Sequence, residues 1–400
     1  MMSLNSTPSA QRIHIGFFGK RNAGKSSVLN AVTDQALSVV SDVAGTTTDP
    51  VYKTMELLPL GPVMLIDTPG FDDDGELGLL RVKKTQDVLN RCDVAVLVVD
   101  AATGVTSCDE TLIALFEKKE IPYLVVYNKS DLTQKNSIGR ELYISAKTGE
   151  GIYELKETIA RLAKTSGEEK CIVGDLLTAG ETVVLVTPID AAAPKGRLIL
   201  PQQQTLRDIL DVDCSVIVTK ETTLSKTLAN LKTPPAMVIT DSQVFDTVSK
   251  ILDEAIPLTS FSILMAKYKG YLASAVAGVA AIKNLSDGDT VLIAEGCTHH
   301  RQCNDIGTVK IPNWLQAYTK KDICIETASG TSFPEDLSKF SLIIHCGACM
   351  LNEREVRYRL KCAQDAGVPM TNYGVLIAYM QGILPRSLEL FPELLALLAE

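Results

Sequence analysis

The chain has 400 residues, 46% of them apolar, and carries a net charge of −9. That length exceeds what one core usually fills, the composition is neither collagenous nor broadly disordered, and the acidic balance argues against a sequence-wide footprint for nucleic acid. The polar start MMSLNSTPSAQR lacks an apolar h-region and no apolar run reaches the ~20 residues of a membrane span, so the expectation is a cytoplasmic protein with no membrane or nucleic-acid partner, whose clustered cysteines serve a metal or catalysis more readily than disulfides.

From residue 12 to about 165, strand-like runs (IHIGFFG, VMLIDTPG, DVAVLVVDA, PYLVVYN, ELYIS) alternate with helix-like ones (SSVLNAV, LLRVKKTQDVLN, DETLIALFEKK, IYELKETIARLAK). Such alternation predicts βαβ units on a mostly parallel sheet. KTSGEEKC (164–171) reads as a linker. A second, shorter series follows (TVVLVTPID, QTLRDIL, CSVIVTKET, LSKTLANL, AMVITDS, VFDTVSKIL), with little chemistry of its own. AIPLTSFS (255–262) reads as a further boundary. Beyond it come AKYKGYLASAVAGVAAIKNL and the strands TVLIAEG, DICIETAS, SLIIHCG and PMTNYG. The expected architecture is an α/β protein of three domains, 1–165, 170–256 and 262–400, the first a P-loop nucleotide-binding fold.

GKRNAGKS (19–26) fits G-x-x-x-x-G-K-S between a strand and a helix, the context that turns backbone N–H groups and a helix N-terminus toward phosphate. Gly19, Asn22, Ala23 and Gly24 form the loop, Lys25 reaches the β- and γ-oxygens, and Ser26, followed by Ser27, offers its hydroxyl to Mg²⁺. DTPG (67–70) sets Asp67 near the metal and Gly70 near the γ-phosphate. In NKSD (128–131), Asn128 suits the ring nitrogen of guanine, Lys129 lies between, and the Asp131 carboxylate can accept both donors of the guanine edge, which adenine lacks. SAK (Ser145, Ala146, Lys147) offers backbone N–H groups to the guanine oxygen. Four pieces in order, each at a strand's C-terminal end, obey the crevice rule for open α/β sheets and specify GTP or GDP with Mg²⁺.

These motifs resemble those of Era- and MnmE-type GTPases. AGTTTD (44–49) is similar to the switch GTTRD of that class, with Thr47 as sensor of Mg²⁺ and γ-phosphate and a departure at Thr48. The resemblance also implies K⁺ dependence through Asn22, which stands where potassium-activated relatives carry an asparagine. Phe71 occupies the place of the water-orienting glutamine of Ras-like proteins, so the expected hydrolysis is slow and switch-like.

Three of the four histidines fall beside cysteines, in TVLIAEGCTHH and LIIHCGAC. If these strands are neighbours, Cys297 and the C-x-x-C pair Cys346 and Cys349 emerge at one rim, with His299 and His345 as ligands or as hydrogen-bond donors to ligands. Zinc, an iron–sulfur cluster and a metal-free thiol cluster all suit the local chemistry, and Cys303 is a possible fourth thiol. Arg354, Arg357 and Arg359 in LNEREVRYRLK read as a solvated helix face, and His14 as packing.

The split motif Cys297-Thr-His299 with His345-Cys346-Gly-Ala-Cys349, behind an Era-like GTPase segment, is similar to that of the HydF family of [FeFe]-hydrogenase maturation GTPases. The resemblance spans the chain. It implies a dimerisation domain in the middle, a homodimer or higher oligomer, and a [4Fe–4S] cluster on Cys297, Cys346 and Cys349 with an exchangeable fourth ligand. It also implies a di-iron subcluster precursor as cargo, radical-SAM maturation enzymes as donors and apo-[FeFe]-hydrogenase as acceptor. The rival reading is an RNA-modification or ribosome-associated GTPase with a structural zinc site.

Overall fold

The computed structural model describes residues 9–33, 50–58, 60–71, 84–133, 141–164, 170–189, 198–296, 305–330 and 332–398. The chain divides into two compact units, Met1–Glu168 and Glu169–Glu400.

The first unit holds a six-stranded sheet of β1 (Ile13–Phe18), β2 (Val51–Leu57), β3 (Gly61–Asp67), β4 (Val94–Asp100), β5 (Tyr123–Asn128) and β6 (Leu142–Tyr143), ordered β2-β3-β1-β4-β5-β6. All pairs are parallel except β2 with β3. β1 and β4 are buried almost throughout, as continuous apolar runs covered on both faces must be. Leu29, Val32, Leu155 and Ile159 cover one face of the sheet, and Leu89, Leu112 and Phe116 the other. β2 is the strand that the sequence pattern hides: it sits at an edge, and Tyr52, Thr54 and Glu56 leave it too polar to register as an apolar run.

The second unit contains two four-stranded sheets. One is made of β7 (Thr182–Val186), β8 (Ser215–Thr219), β9 (Met237–Thr240) and β10 (Leu258–Ser260), ordered β10-β9-β7-β8. The other comprises β11 (Thr290–Ala294), β12 (Cys324–Ala328), β13 (Leu342–His345) and β14 (Met370–Asn372), ordered β12-β11-β13-β14. Every pair in both is parallel. The stretch 255–262, read as a boundary, contains β10. It is three residues long, too short for a period-2 signal, and runs directly into helix 261–268, capped by Ser260 Oγ accepting from Ile263 N at 3.3 Å. That helix packs against helices 200–211, 272–279 and 373–380, so the two sheets share one continuous apolar core. Among the described residues no helix is long and apolar enough to cross a membrane.

Candidate functional site: a nucleotide cradle and a thiol turn

Glycine is required where the P-loop meets the Asn-Lys-Ser-Asp loop (128–131). Gly24 has φ +90°, and a Cβ there would stand 2.3 Å from Asn128 Nδ2. Gly19 (φ +136°) is equally constrained, since its Cβ would lie 2.2 Å from the Val98 carbonyl oxygen. Exposed Asn22 adopts the left-handed region that reverses the loop (φ 63°). The loop delivers Lys25 to the start of helix 25–33, where its buried Nζ donates to the carbonyls of Gly19 (3.0 Å) and Lys20 (2.7 Å). Ser26 Oγ donates to Asp67 Oδ2 at 2.6 Å, while Asp67 Oδ1 is buried without a hydrogen-bond partner. Burial raises the Asp67 pKa, opposed by the Ser26 hydrogen bond and by Lys25 and Lys53. A serine hydroxyl beside a carboxylate with an orphaned oxygen is a hard-oxygen pair suited to Mg²⁺, so the residues present fit the ion.

The guanine side is equally interlocked. Asn128 Nδ2 donates to the Ala23 carbonyl and its Oδ1 accepts from Ala146 N, both at 3.1 Å, linking the P-loop to the Ser-Ala-Lys loop. Ser145 Oγ donates to Asp131 Oδ1 at 2.8 Å and accepts from Thr148 N at 3.1 Å, holding the exposed Asp131 carboxylate at the rim. Lys129 (φ 66°) pairs with Asp100 at the end of β4 (2.6 Å), and that partner, with Ala102 N, holds the Asp100 carboxyl below its usual range against the opposing effect of burial. Lys147 is exposed beside this rim, and Ser27 lies on the first turn of helix 25–33. Gly70 packs on the Arg21 backbone. Phe71 is buried in the core, its N–H donating to the Gly19 carbonyl at 3.2 Å, so the ring serves packing. Thr47 and residues 72–76 lie outside the described residues.

In the second unit, β11 and β13 are adjacent, with Ala294 opposite His345. The chain leaves both strands at the same edge, and Gly296 N donates to Cys346 Sγ at 3.0 Å. Ala348, in left-handed backbone (φ 55°), donates to the same sulfur at 3.4 Å. Burial raises the Cys346 pKa, while these two N–H groups and the Arg359 charge lower it. Cys349 closes the turn, half-buried. A turn presenting two thiols, one already receiving N–H donors, fits soft-metal or cluster ligation. Among the described residues no three His, Cys, Asp or Glu side chains come together around a point; Cys297, His299, His300 and Cys303 lie outside them.

His345 is fully buried. Its Nδ1 meets the Cys346 carbonyl at 2.9 Å and its Nε2 meets Arg359 Nη1 at 3.2 Å. Since a carbonyl only accepts and a guanidinium only donates, Nδ1 carries the proton and the Nε2 lone pair is taken. Burial first, then Arg359, holds the ring neutral with a pKa of about 3. With both ring nitrogens engaged, these contacts are those of the second role read for His345, a hydrogen-bonding group beside the ligand. Arg359 corrects the reading of a solvated face: it is 0% exposed. The helical stripe of Val356, Arg359 and Ala363 faces inward, and Glu355 is buried beside it. Arg357, on the opposite side, stays exposed and pairs with Glu353. Tyr271 and Lys269, also unread in the sequence, donate to the carbonyls of Cys346 (3.3 Å) and Leu351 (2.8 Å), bracketing the turn.

The P-loop, the metal-facing aspartate and the Asn-Lys-x-Asp loop on this sheet define a Ras/Era-like P-loop GTPase domain, here joined to further α/β domains. The chain belongs to the hydrogen maturase F family: the model described as "Hydrogen maturase F dimerization domain" matches residues 172–270 and "Hydrogen maturase F tetramerization domain" matches 273–390, together more than half of it. The model described as "50S ribosome-binding GTPase" matches 14–129. Similar curated proteins include the tRNA modification GTPase MnmE of Endomicrobium trichonymphae, 36% identical over 166 residues (38% of this chain, 36% of that protein). GTPase Der of Kosmotoga olearia is 33% identical over 173 residues (38% and 39%). The chain thus spans somewhat over a third of the length of these relatives. Among solved structures, a single-residue variant of Aquifex aeolicus Era bound to GDP.AlF4- is 27% identical, covering 37% of this chain and 56% of that one, with a TM-score of 0.35.

Proposed function

We propose that this chain is a GTP-hydrolysing scaffold of [FeFe]-hydrogenase maturation. In this reading Cys297, Cys346 and Cys349 hold a [4Fe–4S] cluster with an exchangeable fourth ligand. The protein receives a di-iron subcluster precursor from radical-SAM partners and passes it to apo-hydrogenase. One observation carries the cluster reading: the residue before Cys297 donates its N–H to Cys346 Sγ at 3.0 Å, so two thiol-bearing segments from distant sequence leave adjacent strands together. A bound cluster supplies soft iron for docking the precursor; the turn's own groups direct N–H dipoles at sulfur and exclude water from behind it.

In the first unit, Ser26 and Asp67 would hold Mg²⁺, Lys25 would leave the P-loop carbonyls to neutralise phosphate, and Asp131 would select guanine. Phe71 is packed away and cannot orient water, which supports slow turnover. Thr47 would sense the γ-phosphate, and Asn22 would contribute to a K⁺ site; equal hydrolysis rates in sodium and potassium buffers would refute the latter. GTP and GDP states are proposed to differ in partner affinity. For the homodimer, β8 is an edge strand of the 172–270 sheet among the described residues, and Val218 on it is 42% exposed. Val218→Lys should shift the oligomer toward monomer in light scattering.

The test is anaerobic purification. A brown protein with iron and sulfide, bleached by Cys→Ala at 297, 346 or 349 with GTP hydrolysis retained, supports the scaffold. A colourless zinc protein supports the rival reading of an RNA-modification or ribosome-associated GTPase.

A further inference from the structure

We infer that Arg359 is the positioning residue of the thiol turn, acting through His345; this rests on the cluster reading above. Arg359 sits two turns into helix 353–365, which begins four residues after Cys349. From complete burial its fork spans three partners: Nε donates to Glu355 Oε1 (3.0 Å), Nη1 to His345 Nε2 (3.2 Å) and Nη2 to the Gly330 carbonyl (2.7 Å). The plane lies over the Phe333 ring, 5.1 Å from its centroid. Three segments are thereby tied at one point: the loop after β12, the end of β13 and the helix after the turn.

A buried guanidinium is costly to desolvate and needs every donor matched. Here the matching has a directional result. By filling the Nε2 lone pair, Arg359 fixes the tautomer whose Nδ1–H donates to the Cys346 carbonyl. That carbonyl also accepts from Tyr271 Oη. The Cys346 peptide is held from two sides, and its Sγ stays where Gly296 N and Ala348 N reach it. Such a carboxylate–arginine–histidine chain behind a ligand orients the ligand without touching the metal.

The test reads iron release from anaerobically reconstituted full-length protein to a chromophoric ferrous chelator, with the electron paramagnetic resonance spectrum of the reduced protein alongside. Because Arg359→Met alone strands the buried Glu355 carboxylate, the informative variant is Glu355→Gln/Arg359→Met. It should release iron roughly ten- to a hundredfold faster than wild type, with GTP hydrolysis retained. Arg359→Lys keeps the charge but spans one partner, so it should also release faster; if the double variant does not fold, this variant decides by the same readout. His345→Gln should keep the wild-type g-values. Wild-type release rates in the arginine variants overturn the proposal, as do altered g-values in His345→Gln, which would make the histidine a ligand. Cys346→Ala serves as the separate control: if it keeps its cluster, the scaffold reading itself fails.

Discussion

Asp131 is presented by Ser145, and in the proposed function it would select guanine by accepting two hydrogen bonds from the base edge. Asp131→Asn replaces an acceptor pair by a mixed donor and acceptor, and should weaken GTP binding by about a hundredfold or more, since hydrogen bonds to charged groups contribute roughly 1.5–3 kcal/mol each. Titration with a fluorescent GTP analogue checks this, and a xanthine nucleotide, whose edge is complementary to the amide, should recover part of the loss. Gly24→Ala places a methyl 2.3 Å from Asn128 Nδ2 in backbone that L-residues avoid. It should abolish measurable nucleotide binding while leaving the second unit's melting unchanged, as circular dichroism can show.

At the scale of elements, helix 272–279 lies directly on β14. A Cβ on Gly278 would meet the Met370 carbonyl oxygen at 2.3 Å, and Thr371 Oγ1 donates to the Ala275 carbonyl at 2.9 Å. Gly278→Ala must push the helix off the sheet, an overpacking cost of about 1–3 kcal/mol, read as a lower urea midpoint for the second unit. Elements also show where the sequence spoke and where it did not. The strands β1, β4, β11 and β13 were legible because apolar runs buried on both faces leave no other reading, and the nucleotide loops because their residue types are dictated by phosphate and guanine chemistry. β2 and β10 were not, one being a polar edge and the other three residues long. Arg359 departs from the solvated-face reading for a different reason: its charge points outward while its position points inward. Val356 and Ala363 mark an inward stripe at helical spacing, and 359 falls on it; a buried arginine is rare enough that its charge outvoted its place. His345, by contrast, stands out in the sequence by its place beside Cys346, but only its contacts reveal which of its nitrogens are taken.

At the scale of the whole molecule, each unit has its own core. Calorimetry on the full chain should therefore show two transitions. GTP with Mg²⁺ at a hundred times its dissociation constant should stabilise the first unit by about 2.7 kcal/mol and shift only the corresponding peak, whereas a cluster should shift only the other. If nucleotide moves both peaks, the units are energetically coupled, and the difference between GTP and GDP measures how much of that coupling hydrolysis releases.

The adjacency of β11 and β13 has a consequence for biosynthesis. Gly296 and Cys346 are fifty positions apart along the chain, and β12 with its connecting helix is made between them. No local fragment emerging from the ribosome can bring the Gly296 N–H to the Cys346 sulfur; they meet only after the intervening hairpin-free crossover has closed the sheet. In the proposed reading, an inorganic centre held there would find its full ligand set only in finished molecules, since a nascent chain offers no more than the local Cys346–Cys349 turn.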